Sequence, residues 1–373
     1  MKKFIICLAA AVLIFIFCAV DVNAVDTDTF DEEIDRLEDS IGSEPSQDLE
    51  SLGAAEVDDV IASGIDGKKV FAYITDLIAH NSSAPLSALV LMTAVMLFVG
   101  VAESYNYSLR YTETKEVMSA VTALFTVSVV ITPVTGLVSD AVTVIRGASA
   151  VMTVYLPVMA GIMAFSGHAI SSSGFYVAAA TAAQAVARLA SSVLSPLLNM
   201  ILSLSVCAGI CQRVSLSGIT ETLSKGFKYM ITFSISIFSA ILGLNGTLSA
   251  SADSIADRAA RFGLSSFIPL IGSSISEAYG TLQNSLTVLR SGVGVFVILA
   301  VFVTFAPLLI RTILWSAALS AAKTLSEVMN VSSAGSILHS LNQFITALRT
   351  VLIAVTAVFI ISSAIMIRIG GQS

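Results

Sequence analysis

Cys207 and Cys211 lie four residues apart inside an apolar run, the spacing that puts two thiols on one face of a helix. Paired thiols can form a disulfide or bind metal. A regular helix does not offer bridging geometry at that spacing, and two thiols without histidine or carboxylate neighbours make a poor metal site. The pair therefore reads as packing, with buried cysteine acting as a small hydrophobe. The three histidines, His80, His168 and His339, are isolated from one another and from cysteine. His168 follows an apolar run and precedes Ser171-Ser172-Ser173-Gly174, which suits a solvated interface histidine better than a proton carrier. The sequence has no GxxxxGK[ST] loop, no HExxH pair and no nucleophile with its base. No catalytic, cofactor or metal residue is assigned, and the chain is read as a non-enzyme.

Ionisable residues inside apolar runs are expensive and often mark a pathway. The candidates are Arg188, Glu277, Arg290 and Arg311, all at or near the ends of such runs. Snorkelling to lipid headgroups accounts for the arginines without any function. The segment 267–278 is different. Pro269 cannot donate a backbone hydrogen bond, and Gly272 and Gly280 loosen any helix through it. Glu277 is costly in lipid unless it faces protein or water. A broken, partly polar segment is tolerated at membrane depth only where it is buried in protein or lines a cavity. Pro269, Gly272 and Glu277 are therefore the candidate lumen or subunit contact. The competing reading is an interfacial helix with Glu277 in water.

The elements around these residues follow from the distribution of charge. Of 373 residues, 55% are hydrophobic and only 12% charged, with a mean hydropathy of +0.89; soluble domains carry about twice that charge. Residues 25–80 hold 16 acidic and three basic side chains, whereas residues 81–373 hold nine acidic and 14 basic ones. Residues 1–24 have a Lys2-Lys3 start, an apolar core and a Val22-Asn23-Ala24 ending. They are read as a cleavable secretory signal peptide, with Val25 as the mature N-terminus and an uncleaved anchor as the alternative. Either way the acidic segment 25–80 lies outside the cytoplasm. Its composition buries little apolar surface, so a partly disordered ectodomain with short helices at best is expected. Val60, Ile61, Val70, Phe71, Ile74 and Ile78 can form an amphipathic stretch lying on the membrane.

Apolar runs follow at 84–102, 117–138, 148–166, 189–211, 229–248, 293–313 and 345–367. Each is close to the ~20 residues that cross a bilayer as helix. The segments 174–187 and 267–289 are ambiguous. The fold class is thus all-α, a polytopic helical membrane protein whose domain 81–373 has about seven to eight spans. Basic residues favour the cytoplasmic side, which places Arg110, Lys115 and the loop 212–228 there and favours eight crossings. Residues 252–262, with Asp257 and Arg261 four apart, read as an interfacial helix. Small residues such as Gly243 and Gly246 let helices pack closely in lipid. Pro133 to Arg146 and Pro269 to Arg290 echo one another, as repeats in transporters do.

The run ADRAARFGLSSFIPLIGSSISEA at 256–278, followed by SLTVLRSGVGVFVI and FAPLLIRTILWSAALSAAKTLSE, resembles the stage III sporulation protein AE family. The resemblance extends from Pro85 to Arg368 and includes the layout of signal, acidic ectodomain and membrane domain. It implies a non-enzymatic component of the mother-cell-to-forespore channel, a secretion-like complex required for endospore formation. The implied location is the mother-cell membrane around the forespore, as a multi-pass protein. The implied partners are other stage III sporulation A-operon membrane proteins, a secretion-type ATPase, a forespore channel partner and the lipid bilayer, with no nucleic acid. It brings no cofactor and no catalytic residue. The rival reading is a self-contained secondary transporter or permease, which normally needs a polar midplane site that the sequence does not display clearly.

Overall fold

The computed structural model describes residues 31–64, 66–109, 112–166, 169–189, 272–329 and 331–369, with single helical positions between Pro196 and Leu244. The expected signal peptide, 1–24, and the interfacial helix at 252–262 lie outside the described residues. So do most of the runs 189–211 and 229–248 and of the loop 212–228. The described residues form helices and no strand.

Four short helices come first: α1 (Asp31–Asp39), α2 (Ser43–Leu52), α3 (Val57–Ser63) and α4 (Gly67–Asn81). Local signals delimit them. Gly53 takes φ +76°, a left-handed cap open to glycine at little cost, and its N–H returns to the carbonyls of α2. Glu56 and Asp59 form a reciprocal capping box at the start of α3. The Asp66 carboxylate accepts from the Lys68 N–H to start α4. Leu37, Leu49, Leu52, Val57 and Val60 are buried. The Val57 N–H donates to Glu38 Oε1 at 2.8 Å, and the Tyr73 hydroxyl donates to Asp48 Oδ2 at 2.7 Å. The acidic segment is thus more fully organised than its composition suggests, because its few apolar residues converge on one inner face. That face rests on the long helices: α2, α3 and α4 pack on α8, and α1 packs on α6. Of the stretch expected to lie on the membrane, Val60, Ile61 and Val70 are instead buried in this contact, while Phe71 stays 73% exposed.

The long helices are α5 (Ser83–Leu109), α6 (Thr112–Phe165), α7 (Ala169–Leu189), α8 (Gly272–Val328) and α9 (Ser332–Ile369). Those of 54 and 57 residues, α6 and α8, are each more than 80 Å long at about 1.5 Å per residue, well beyond the ~30 Å hydrocarbon layer. By length and composition, four stretches among the described residues can cross a membrane: Gly67–Val101, Val121–Phe165, Ser285–Val328 and Ala334–Arg368. The outward apolar side chains of α5, including Val90, Phe98 and Val101, suit lipid contact.

Two expectations about breaks bear on α6 and α8. The runs 117–138 and 148–166 were expected to be separate spans, yet both lie in the single helix α6. Asp140 and Arg146 lie between the two runs, and Asp140 pairs with Arg311 of α8 at 2.6 Å. Helix α8 likewise continues from Gly272 through Gly280 and Arg311 to Val328 without a break. Hydroxyls within these helices mostly return to carbonyls one turn back, as Thr126, Ser149 and Thr356 do, so they add little polar surface to the helix exterior.

Helices α6 and α9 both run antiparallel to α8. Asp140 meets Arg311 and Met159 approaches Gly294, while Asn342 meets Ser316 and Ile367 approaches Gly294. Residue numbers fall on one helix as they rise on the other. Close packing uses glycine at two positions of α8. A Cβ at Gly294 would overlap Ile367, and one at Gly292 would overlap Ile61, whereas Gly243 has nothing within 4 Å. Gly246 lies outside the described residues.

Candidate functional site

Of the three residues expected to form a lumen or subunit contact, Pro269 lies outside the described residues. Gly272 is the first residue of α8, and Glu277 stands in its second turn; the side chain of Glu277 is outside the described residues. Only the helical backbone of Gly272 and Glu277 is described. The polar groups that the structure assembles lie further along α8, in three places.

The first is a polar seam between α8 and α9. The Ser316 hydroxyl donates to Asn342 Oδ1 at 2.7 Å, and Asn342 Nδ2 donates to Ser320 Oγ at 3.1 Å. One amide thereby spans a full turn of the facing helix. Beyond it, the turn between α8 and α9 encloses an open pocket of about 390 Å³ lined by Lys323, Ser326, Glu327, Gly335 and His339. Lys323 Nζ lies 3.5 Å from Glu327, and His339 Nε2 lies 2.9 Å from Gln343. These are exposed or half-exposed groups already engaged with neighbours one turn away.

The second is the Asp140–Arg311 pair, which joins α6 to α8 with both side chains about two-fifths exposed. A single Asp–Arg contact across 171 positions leaves no local trace, so neither residue could be matched to the other from sequence. Arg311 was expected to snorkel to headgroups; it pairs with another helix instead.

The third is the most unusual. Arg290 of α8 is 0% exposed, as are Tyr155 of α6 and Ser363 of α9. Snorkelling does not describe Arg290, because α3 seats Ile61 on Gly292 beside it and the bundle encloses it. The Tyr155 phenol stands beside the Ser363 hydroxyl, in a contact at the limit of a hydrogen bond, and near Arg290. Yet Tyr155 Oη, Ser363 Oγ and all three guanidinium nitrogens of Arg290 lack a hydrogen-bond partner among the described residues. A buried polar atom without a partner costs stability, and most native structures avoid it. All five such atoms gather at one point where three helices meet. The sequence did carry a sign of this close approach, in Gly292 and Gly294 on either side of Val293, but nothing that named the residues across from it.

The remaining residues fall where they do little chemistry. Arg188, His80 and His339 are exposed, and so is Cys207, which was expected to be buried. Cys211 and His168 lie outside the described residues. The two echoing segments place their arginines in different surroundings, Arg146 exposed and Arg290 buried. Among the described residues, no group of three His, Cys, Asp or Glu could hold a metal ion.

Comparison with known families gives one result. A family model described as stage III sporulation protein AE matches residues 57–370, from the first residue of α3 to the end of α9. No curated protein and no solved structure matches.

Proposed function

This chain belongs to the stage III sporulation protein AE family, and from that premise we propose that it is a non-enzymatic, multi-pass component of the mother-cell-to-forespore channel. Its role is in sporulation, and its four apolar helices are those of a membrane protein. The observation that carries the proposal is the match over residues 57–370, which takes in α3, α4 and the whole helical bundle. In this reading the long helices form a scaffold or part of an export gate in the mother-cell membrane. The partners are the other stage III sporulation A-operon membrane proteins, a secretion-type ATPase and a forespore channel protein. The polar groups of the bundle support a scaffold: Asp140 with Arg311, and Ser316 and Ser320 with Asn342, tie helices to one another.

The test is a deletion of the gene with complementation, scored by heat-resistant spores, together with affinity purification of tagged protein from sporulating-cell membranes. The expected outcome is a sporulation block after engulfment, restored by the wild-type copy, with the A-operon proteins and the ATPase co-purifying. Normal spore yield from the deletion strain overturns the proposal. So does a protein that purifies alone and transports a solute by itself in proteoliposomes, which would establish the permease reading.

A further inference from the structure

The Arg290 cluster holds one cation and two hydroxyls, with no carboxylate among them. A guanidinium carries five N–H donors, accepts nothing and is not deprotonated in proteins. The hydroxyl hydrogens of Tyr155 and Ser363 rotate to suit whatever is placed between them. Burying an uncompensated cation is costly even after the surroundings relax, so the enclosure of Arg290 calls for negative charge. The described residues offer none beside it. Helix α9 contains no acidic residue. On α6, Asp140 is fifteen positions from Tyr155 and is held by Arg311. On α8, Glu277 precedes Arg290 by thirteen positions, roughly 20 Å along a helix. Asp58 and Asp59 of α3 face outward.

We propose that Arg290, Tyr155 and Ser363 bind one small monovalent anion of the halide class, chloride in the cell, at the junction of α6, α8 and α9 beneath α3. The complete enclosure of all three side chains selects the class. A lipid phosphate would need a path for its acyl chains, and a peptide carboxylate a path for its backbone. A bare halide needs only to shed water and accept several N–H and O–H bonds, as this donor set supplies. The ion neutralises Arg290 and accepts from groups on three helices at once. Because Ile61 closes over the same turn of α8, the seating of α3 and occupancy of the site are coupled.

The test uses the full-length protein in nanodiscs, melted in sodium chloride, sodium bromide and sodium gluconate at equal ionic strength. The expected result is a melting temperature raised by roughly 5 °C in saturating chloride or bromide over gluconate, from binding to the folded state alone. Arg290→Met abolishes the difference and is no less stable in gluconate than the wild type there. Tyr155→Phe and Ser363→Ala each shift the chloride midpoint to higher concentration while leaving the fold intact. Bromide soaked into crystals gives an anomalous peak beside Arg290. Identical wild-type melting in all three salts overturns the proposal, as does an Arg290→Met variant that keeps the chloride effect. A melting temperature that follows anionic lipid content rather than halide would assign the site to a phosphate headgroup and also overturn it.

Discussion

Replacing Gly292 by alanine places a Cβ against Cγ1 and Cδ1 of Ile61, the side chain through which α3 sits on α8. Ile61 is buried, and its branch at Cβ leaves it few rotamers to move into. Overpacking of this kind costs about 1–3 kcal/mol. Against this, glycine to alanine inside a helix gains about 1 kcal/mol. The net expectation for Gly292→Ala is therefore a range from neutral to about 2 kcal/mol of destabilisation. The decisive measurement is the same substitution in an Ile61→Ala background. With the opposing methyls gone, only the helix-propensity gain remains, and Gly292→Ala should now stabilise by about 1 kcal/mol. The two sites thus couple by about 1–3 kcal/mol. Hydrogen exchange at the Gly64 amide, which donates to the Val60 carbonyl at 3.2 Å, reports opening of α3 directly. Chemical denaturation in detergent reports the whole. If Gly292→Ala stabilises equally in both backgrounds, α3 does not pack on this turn of α8 and the argument for the enclosure of Arg290 fails with it.

Three further outcomes are expected. Asp140→Asn should destabilise the bundle by about 1 kcal/mol, in keeping with a half-exposed pair, and Asp140→Asn with Arg311→Gln should recover most of the loss; equal effects of the single and double variants in a denaturation series would show that the pair is not coupled. Burial holds the Glu38 carboxyl above its ordinary 4.5, with the hydrogen bond from Val57 opposing the rise. A raised folded value means stability is greatest below the ordinary carboxylate range and falls as pH rises through the raised value; stability by chemical denaturation between about pH 4 and 7 should therefore fall more in the wild type than in Glu38→Gln. Finally, Pro269→Ala and Glu277→Leu should each reduce spore yield at normal protein level if residues 267–278 shape a lumen or subunit contact. Full sporulation by both variants would reduce that segment to a connector.

The all-helical membrane character was legible in the sequence because it rests on local properties. Apolar runs of spanning length, scarce charge and short capping patterns such as Glu56 to Asp59 are each complete within a few turns of chain. Family membership was equally legible, through the block around Phe267 to Ala278 and its order among the runs. The sequence was misleading where a charge had its partner far away. Asp140 meets Arg311, 171 positions on, inside a single helix that joins two runs read as separate spans. Arg290 looks like a headgroup anchor until α3 and α9 close over it. The acidic segment looks solvated until its few leucines and valines find α6 and α8. In each case the free energy of placing a polar or weakly apolar residue depends on what surrounds it, and those surroundings are built from distant elements. Apolar periodicity sets which stretches become helices; only their packing decides which charges are neutralised, which are enclosed, and where a helix may run on.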